Sequence, residues 1–224
     1  MNRACVIAIV LLGCASAQRF VPASGVPRSA GDPSAALVAG GGITIVADAE
    51  AWEAAPATLR ALMTPILVRI RNDSDRAIGV RYQDFRLETE LGRTLQPIPP
   101  LALDRARPLR TGAVPDPAGR GFRFAPYYRD LFGDGIDYWT GGFAFDPYYY
   151  DRYATWRPAL PTPAMVARAL PEGVLEPGGW VEGFVYFERV EPEARRVTLH
   201  VVLDLPQGEE RVATIDIPFI DAAG

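Results

Sequence analysis

Val197-Thr198-Leu199-His200-Val201-Val202-Leu203-Asp204 puts Val197, Leu199, Val201 and Leu203 on one side of an extended chain, and Thr198, His200 and Asp204 on the other. Side chains alternate across a strand, so this period of two marks a strand with one face in a core. Gln207-Gly208 then turns the chain, and Ala213, Ile215, Ile217 and Phe219 supply a second inward row. An antiparallel pair with one apolar face has to bury that face against another layer.

The same grammar runs toward the N-terminus. Pro177-Gly178-Gly179 turns into a strand over Trp180–Phe187. Ile66, Val68 and Ile70 alternate with Leu67, Arg69 and Arg71. Asn72-Asp73-Ser74-Asp75 reads as a turn, because these short polar side chains bond their own backbone. Ile78, Val80 and Tyr82 then alternate with Gly79 and Arg81, Phe85 and Leu87 continue the apolar row, and Gly92 turns the chain. Ile43-Thr44-Ile45-Val46 is a short β-branched strand. Helix signals are few: one stretch near Pro56–Leu62, and Thr162-Pro163 leading into Ala164–Leu170, stopped by Pro171. Residues 43–97 and 171–220 together suffice for an immunoglobulin-like sandwich, which needs about 100 residues. The expectation is an all-β fold, one antiparallel β-sandwich domain over 43–220, with a long aromatic-rich insertion at about 98–170 and one or two short helices.

At the start of the chain, Arg3 precedes an apolar run from Ala4 to Leu12. A bilayer-spanning helix needs about 20 residues, so the run describes a signal peptide over 1–13. Leu11-Leu12-Gly13-Cys14 resembles the bacterial lipobox. That resemblance implies cleavage before Cys14, acyl chains such as palmitate on that cysteine, and a membrane partner reached through the lipid anchor. The competing reading is ordinary cleavage at Ala15-Ser16-Ala17, which would remove Cys14. Lipoproteins retained in the inner membrane often carry Asp just after the cysteine. Ala15 stands there, so by the resemblance the outer membrane is favoured. Nineteen of the 28 residues from 15 to 42 are Ala, Ser, Gly or Pro. The stretch 14–42 therefore reads as the acylated cysteine and a flexible linker of about 29 Å root-mean-square span.

The sandwich has its own resemblance. Thr64-Pro65-Ile66-Leu67-Val68 through Asn72, Asp84-Phe85-Arg86-Leu87, and Glu176-Pro177-Gly178 with Gly183-Phe184-Val185-Tyr186-Phe187 are similar to immunoglobulin-like domains of uncharacterised bacterial envelope lipoproteins. The similarity covers strand and turn residues, and brings no catalytic residue with it.

Composition narrows the chemistry. All 23 basic residues are Arg, they are scattered among Asp and Glu, and the net charge is −4. That pattern is not the basic footprint of a nucleic-acid binder. The two cysteines, Cys5 and Cys14, both precede the domain, so it has no disulfide to draw on. His200 is the single histidine, and strand parity puts it on a polar outer face. There is no Gly-x-Ser-x-Gly, and Gly40-Gly41-Gly42 leads into a strand rather than the helix N-terminus a phosphate loop requires. No catalytic residue, metal or cofactor is expected.

The insertion is the unusual segment. Between Phe122 and Trp156 lie 14 of the chain's 23 aromatic residues, with Asp130, Asp134, Asp137, Asp146 and Asp151 interleaved. Three readings compete: a lid that packs its rings on a sheet face, a binding surface, and a calcium site near Gly133-Asp134-Gly135. As a surface it would use Tyr127, Tyr128, Tyr138, Trp139, Tyr148, Tyr149, Tyr150 and Trp156. The expectation is a non-catalytic, tethered cell-envelope module that contacts an envelope protein or glycan through 122–156. The alternative is a hydrolase of cell-wall polymers using carboxylates near that loop.

Overall fold

A computed structural model describes residues 18–54, 58–100, 115–116, 118–144, 146, 162–208 and 210–222. Cys14 with the signal segment, Tyr148, Tyr149, Tyr150 and Trp156 lie outside the described residues.

The strands are β1 (Phe20–Pro22), β2 (Arg28–Ser29), β3 (Asp32–Gly40), β4 (Ile43–Asp48), β5 (Met63–Asn72), β6 (Ile78–Val80), β7 (Phe85–Thr89), β8 (Thr94–Leu95), β9 (Ala118–Phe124), β10 (Gly173–Glu188), β11 (Arg196–Asp204) and β12 (Arg211–Asp221). Among the described residues three short helices join them: α1 (Leu59–Leu62), α2 (Arg129–Phe132) and α3 (Pro163–Arg168). In α3 the Thr162 hydroxyl caps the first turn by accepting from the Met165 N–H at 3.2 Å. Among the described residues no helix is long and apolar enough to cross a membrane.

Two antiparallel sheets face each other. One runs β1-β12-β11-β7-β8; the other runs β2-β3-β4-β5-β10-β6, with β9 also paired to β10. Leave aside the strands before Ile43. With β6 taken as a prolongation of β5, what remains is β4-β5-β10-β9 facing β12-β11-β7-β8, which in chain order is the A-B-E-D and G-F-C arrangement of an immunoglobulin-type sandwich, extended by one strand. The inward rows meet between the sheets: Val197, Leu199, Val201 and Leu203, with Ala213, Ile215, Ile217 and Phe219, pack against Ile66, Val68, Ile70 and Ile78. Each fully buried aliphatic chain contributes about 1.5–3 kcal/mol, and no disulfide is needed.

β10 is long enough to serve both of its edges. Residues 180–188 pair with β5 and 173–175 with β6, so β6 prolongs β5 along one edge while β9 runs down the other. The chain makes an excursion over 72–77 where the two halves meet. The buried Asn72 amide holds it by donating to the carbonyls of Arg76 at 2.7 Å and Leu175 at 3.1 Å. The Ser74 N–H donates back to Asn72 Oδ1 at 3.1 Å, the side-chain-to-backbone bond expected of this turn.

Three expectations need correction. Residues 18–42 are not a flexible linker, because β1, β2 and β3 lie there. Ala35 and Ala36 are buried against β4, where small side chains let the strands pack, and Gly41-Gly42 turns the chain with φ of 61° and 76°. Two consecutive positive φ angles are what a two-residue hairpin of the primed type requires. Next, residues 43–97 and 171–220 do not make the whole sandwich, since β9 falls inside the insertion and completes the sheet beside β10. Finally, Arg81 does not point outward. The strand stops at Val80 and a 3-10 turn over Tyr82–Asp84 breaks the alternation, so Arg81 is only 2% exposed.

Candidate functional site

The described part of the insertion is built on its own small core. Phe124, Ala125, Tyr128 and Tyr138 pack together with Val166 of α3. Phe124 meets the Tyr128 ring edge-on at 5.5 Å, and Tyr128 stacks on Tyr127 at 4.9 Å and on Phe132 at 5.9 Å. Offset and edge-to-face geometries of this kind add to burial. Pro126 opens a 3-10 turn that runs into α2, and Gly133 ends α2 with φ of 69°. The chain then returns beside β9: the Phe124 N–H donates to the Asp137 carbonyl at 2.9 Å and the Trp139 N–H to the Phe124 carbonyl at 2.8 Å. The Tyr138 hydroxyl donates to the Gly133 carbonyl, closing the loop.

A buried polar network fastens this segment to the sandwich. Glu172, just ahead of β10, accepts from the Tyr82 N–H at 2.8 Å and from the Tyr127 hydroxyl. Its own N–H donates to the Tyr128 hydroxyl at 3.2 Å, and its carbonyl accepts from Ala125 at 2.9 Å. Burial pushes the Glu172 carboxyl up to about 7, against the opposing pull of the Tyr127 hydroxyl, the Tyr82 N–H and Arg81. Burial also raises the Tyr127 and Tyr128 hydroxyls well above the ordinary phenol value, with the nearby Glu172 charge adding to it. Alongside, Arg81 donates to the carbonyls of Ala144, Leu205 and Pro206 at 3.0, 2.9 and 2.6 Å and lies over the Phe143 ring. It faces Asp84 at 3.5 Å, whose carboxyl burial raises far above the usual range despite that cation. Gly79 makes room for the guanidinium, which lies within 2.6 Å of where a Cβ would sit.

Beside the core opens a cleft of about 540 Å³. β9 contributes Gly119, Arg120, Gly121, Phe122 and Phe124; Pro115, Asp116, Gly135, Ile136 and Asp137 complete the wall. Asp137 faces Arg123 at 3.4 Å, and Arg123 also reaches Glu176 at 3.3 Å and lies 5.9 Å from the Trp139 ring centre. Arg120, paired through its backbone register with Trp180, is by contrast exposed, and its side chain has no ion pair or hydrogen bond among the described residues.

The predicted surface residues therefore divide. Tyr128 and Tyr138 are buried and form structure, not surface. Tyr127 is half-buried with its hydroxyl spent on Glu172, and Trp139 stays half-exposed with its indole N–H bonded to the Gly142 carbonyl at 3.1 Å. Among the described residues no group of three or more His, Cys, Asp or Glu side chains converges as a metal site. Asp134, at the centre of the calcium reading, faces Arg129 at 3.4 Å. His200 sits on the outer face of β11 between Asp216 at 2.6 Å and Glu88 at 3.3 Å, and no hydroxyl bonds it among the described residues.

Sequence reasoning missed Arg120, Glu172, Arg81 and Asp84. A polar Arg-Tyr-Gln-Asp run between two apolar rows was the available signal for the last two. No family model matches the chain, and no curated protein or solved structure matches it.

Proposed function

We propose that the protein is a non-catalytic cell-envelope lipoprotein, held through acyl chains on Cys14 in the outer membrane rather than the inner. Its sandwich contacts an envelope protein or glycan through the aromatic insertion. The observation that supports this most is the cleft: the exposed Arg120, whose side chain has no partner among the described residues, the half-buried Phe122 ring and a glycine-rich rim beside a segment that many buried bonds hold in place. Arginine and aromatic rings are the side chains most enriched at binding hot spots, and a rigid frame lowers the entropy cost of using them.

The test is a photo-crosslinking amino acid placed at position 120 in cells, with position 214 on the opposite sheet as control. Adducts at 120 that vanish when Phe122→Ala is added support the reading. Equal adducts at 120 and 214 count against it.

A second reading draws on Asp116 and Asp137, which line the same cleft and are the residue type a polymer hydrolase needs. Asp137 is already engaged by Arg123. Release of soluble fragments from purified peptidoglycan, abolished by Asp116→Asn, would favour it over the binding role.

A further inference from the structure

We propose that one end of the sandwich, formed by α1, the turn around Leu91 and the turn preceding β11, rests on the lipid bilayer, with Leu62 and Leu91 entering its interfacial layer. The inference rests on the reading that Cys14 is acylated.

The first support is reach. The chain is already held by the fold at Gln18, whose side-chain amide donates to the carbonyls of Ala194 at 2.7 Å and Glu191 at 3.2 Å. The next residue is fixed too, since the Ala222 N–H donates to the Arg19 carbonyl at 2.7 Å. Gln18 lies four residue steps along the chain from Cys14. Fully extended they span at most about 14 Å, so this end cannot stand clear of the headgroups.

The second support is what the end presents. Leu62, 59% exposed, and Leu91, 57% exposed, are the large hydrophobic side chains most open to solvent among the described residues. Both belong to this end. Arg60, two residues before Leu62, donates to the Gln18 carbonyl at 3.4 Å. Glu90, next to Leu91, accepts from the Arg195 N–H at 2.8 Å and donates its own N–H to the Arg196 carbonyl at 3.1 Å. Two exposed leucines at the end where the lipid anchor attaches fit an interfacial layer better than water.

The charges say which lipid. Arg19 and Arg60 pair with Glu50, Arg93 pairs with Glu188 and Glu191, and Arg195 pairs with Asp221. These pairs cancel, so the contact needs no anionic headgroup and tolerates salt. The opposite end, where Asp204 pairs with Arg211 and the Ala144 N–H reaches the Pro206 carbonyl, carries the 124–144 part of the insertion. A nine-residue β11 separates the two ends by about 27 Å.

The experiment uses the acylated full chain in vesicles of phosphatidylethanolamine and phosphatidylglycerol. An environment-sensitive fluorophore is placed on Leu62→Cys or Leu91→Cys, with Ser74→Cys at the far end as control. Emission at 62 and 91 should shift to the blue and be quenched by shallow spin-labelled lipid, while 74 stays aqueous. The pattern should persist in high salt and without phosphatidylglycerol. Aqueous emission at 62 and 91 overturns the proposal, as does a blue shift that lipid spin labels do not quench, which would mean a protein covers them. The mass of the N-terminal peptide separates the two levels. Acylated Cys14 with aqueous labels refutes only the bilayer contact, whereas unacylated Cys14 refutes the anchor and the contact with it.

Discussion

Raising the pH from about 5 to about 8 should weaken this fold, and Glu172→Gln should remove the share that Glu172 contributes. The Glu172 carboxyl is buried among Tyr82, Tyr127 and Tyr128, and burial moves it from 4.5 to about 7. A carboxyl raised in the fold holds its proton more tightly there than in the unfolded chain. Its contribution is fully present below about pH 4.5 and is lost as pH rises toward and through 7. A shift of about 2.5 units at 1.36 kcal/mol each makes the loss about 3 kcal/mol, a large part of a typical domain's stability. Gln cannot ionise, its amide oxygen can still accept from the Tyr82 N–H, and its NH₂ can donate to the Tyr127 oxygen. Urea unfolding followed by tryptophan fluorescence at pH 5, 6, 7 and 8 gives the readout. The stability of Glu172→Gln relative to the unmodified chain should climb by about 2–3 kcal/mol across that range, whatever constant offset the amide introduces. Asp84, raised first by burial, adds a decline of the same sign in both proteins, and the smaller part of its shift that comes from the Glu172 charge is lost in Glu172→Gln and adds to the difference. Parallel pH curves for the two proteins would refute the argument.

Arg81→Met leaves Asp84 buried without its cation and should cost about 3–5 kcal/mol in the same unfolding assay above pH 7, with Arg81→Met/Asp84→Leu recovering much of it. Gly41→Ala places a side chain at φ 61° with its Cβ 2.5 Å from the Val212 carbonyl oxygen, so the unfolding free energy in the same assay should fall by about 1–3 kcal/mol or more. Tyr128→Ala empties the centre of the insertion's core and should cost about 3–5 kcal/mol, with hydrogen-exchange protection lost first over 124–139. Cys14→Ser should move the chain from the membrane to the soluble fraction on cell fractionation.

The strands of the sandwich were legible because half-buried strands write a period of two. Val197 to Leu203, Ala213 to Phe219 and Ile66 to Ile70 all face the core as that period requires. The N-terminal strands were not legible for the opposite reason. β3 is Asp-Pro-Ser-Ala-Ala-Leu-Val-Ala-Gly, and its small residues resemble linker in composition while serving close packing against β4. The Gly41-Gly42 pair before Ile43 was a hairpin signal that composition overrode. Aromatic density located the site's neighbourhood but not its surface. Tyr128 and Tyr138 are buried, and the exposed cation is Arg120, an unremarkable arginine in a glycine-flanked run. Glu172 gave no signal at all, because its role exists only once β10, the Tyr82 turn and the insertion meet.

The pairing of β1 with β12 also has a consequence in time. Phe20 lies opposite Asp221, so the first strand of the fold finds its partner only after the last has been synthesised. Contacts so far apart in the chain carry a large loop-closure cost and slow folding. For the export that the proposed lipoprotein role requires, that delay is useful. The sandwich cannot close its β1 edge while its C-terminal strand is still on the ribosome, so this edge of the fold is completed only once synthesis has passed Asp221.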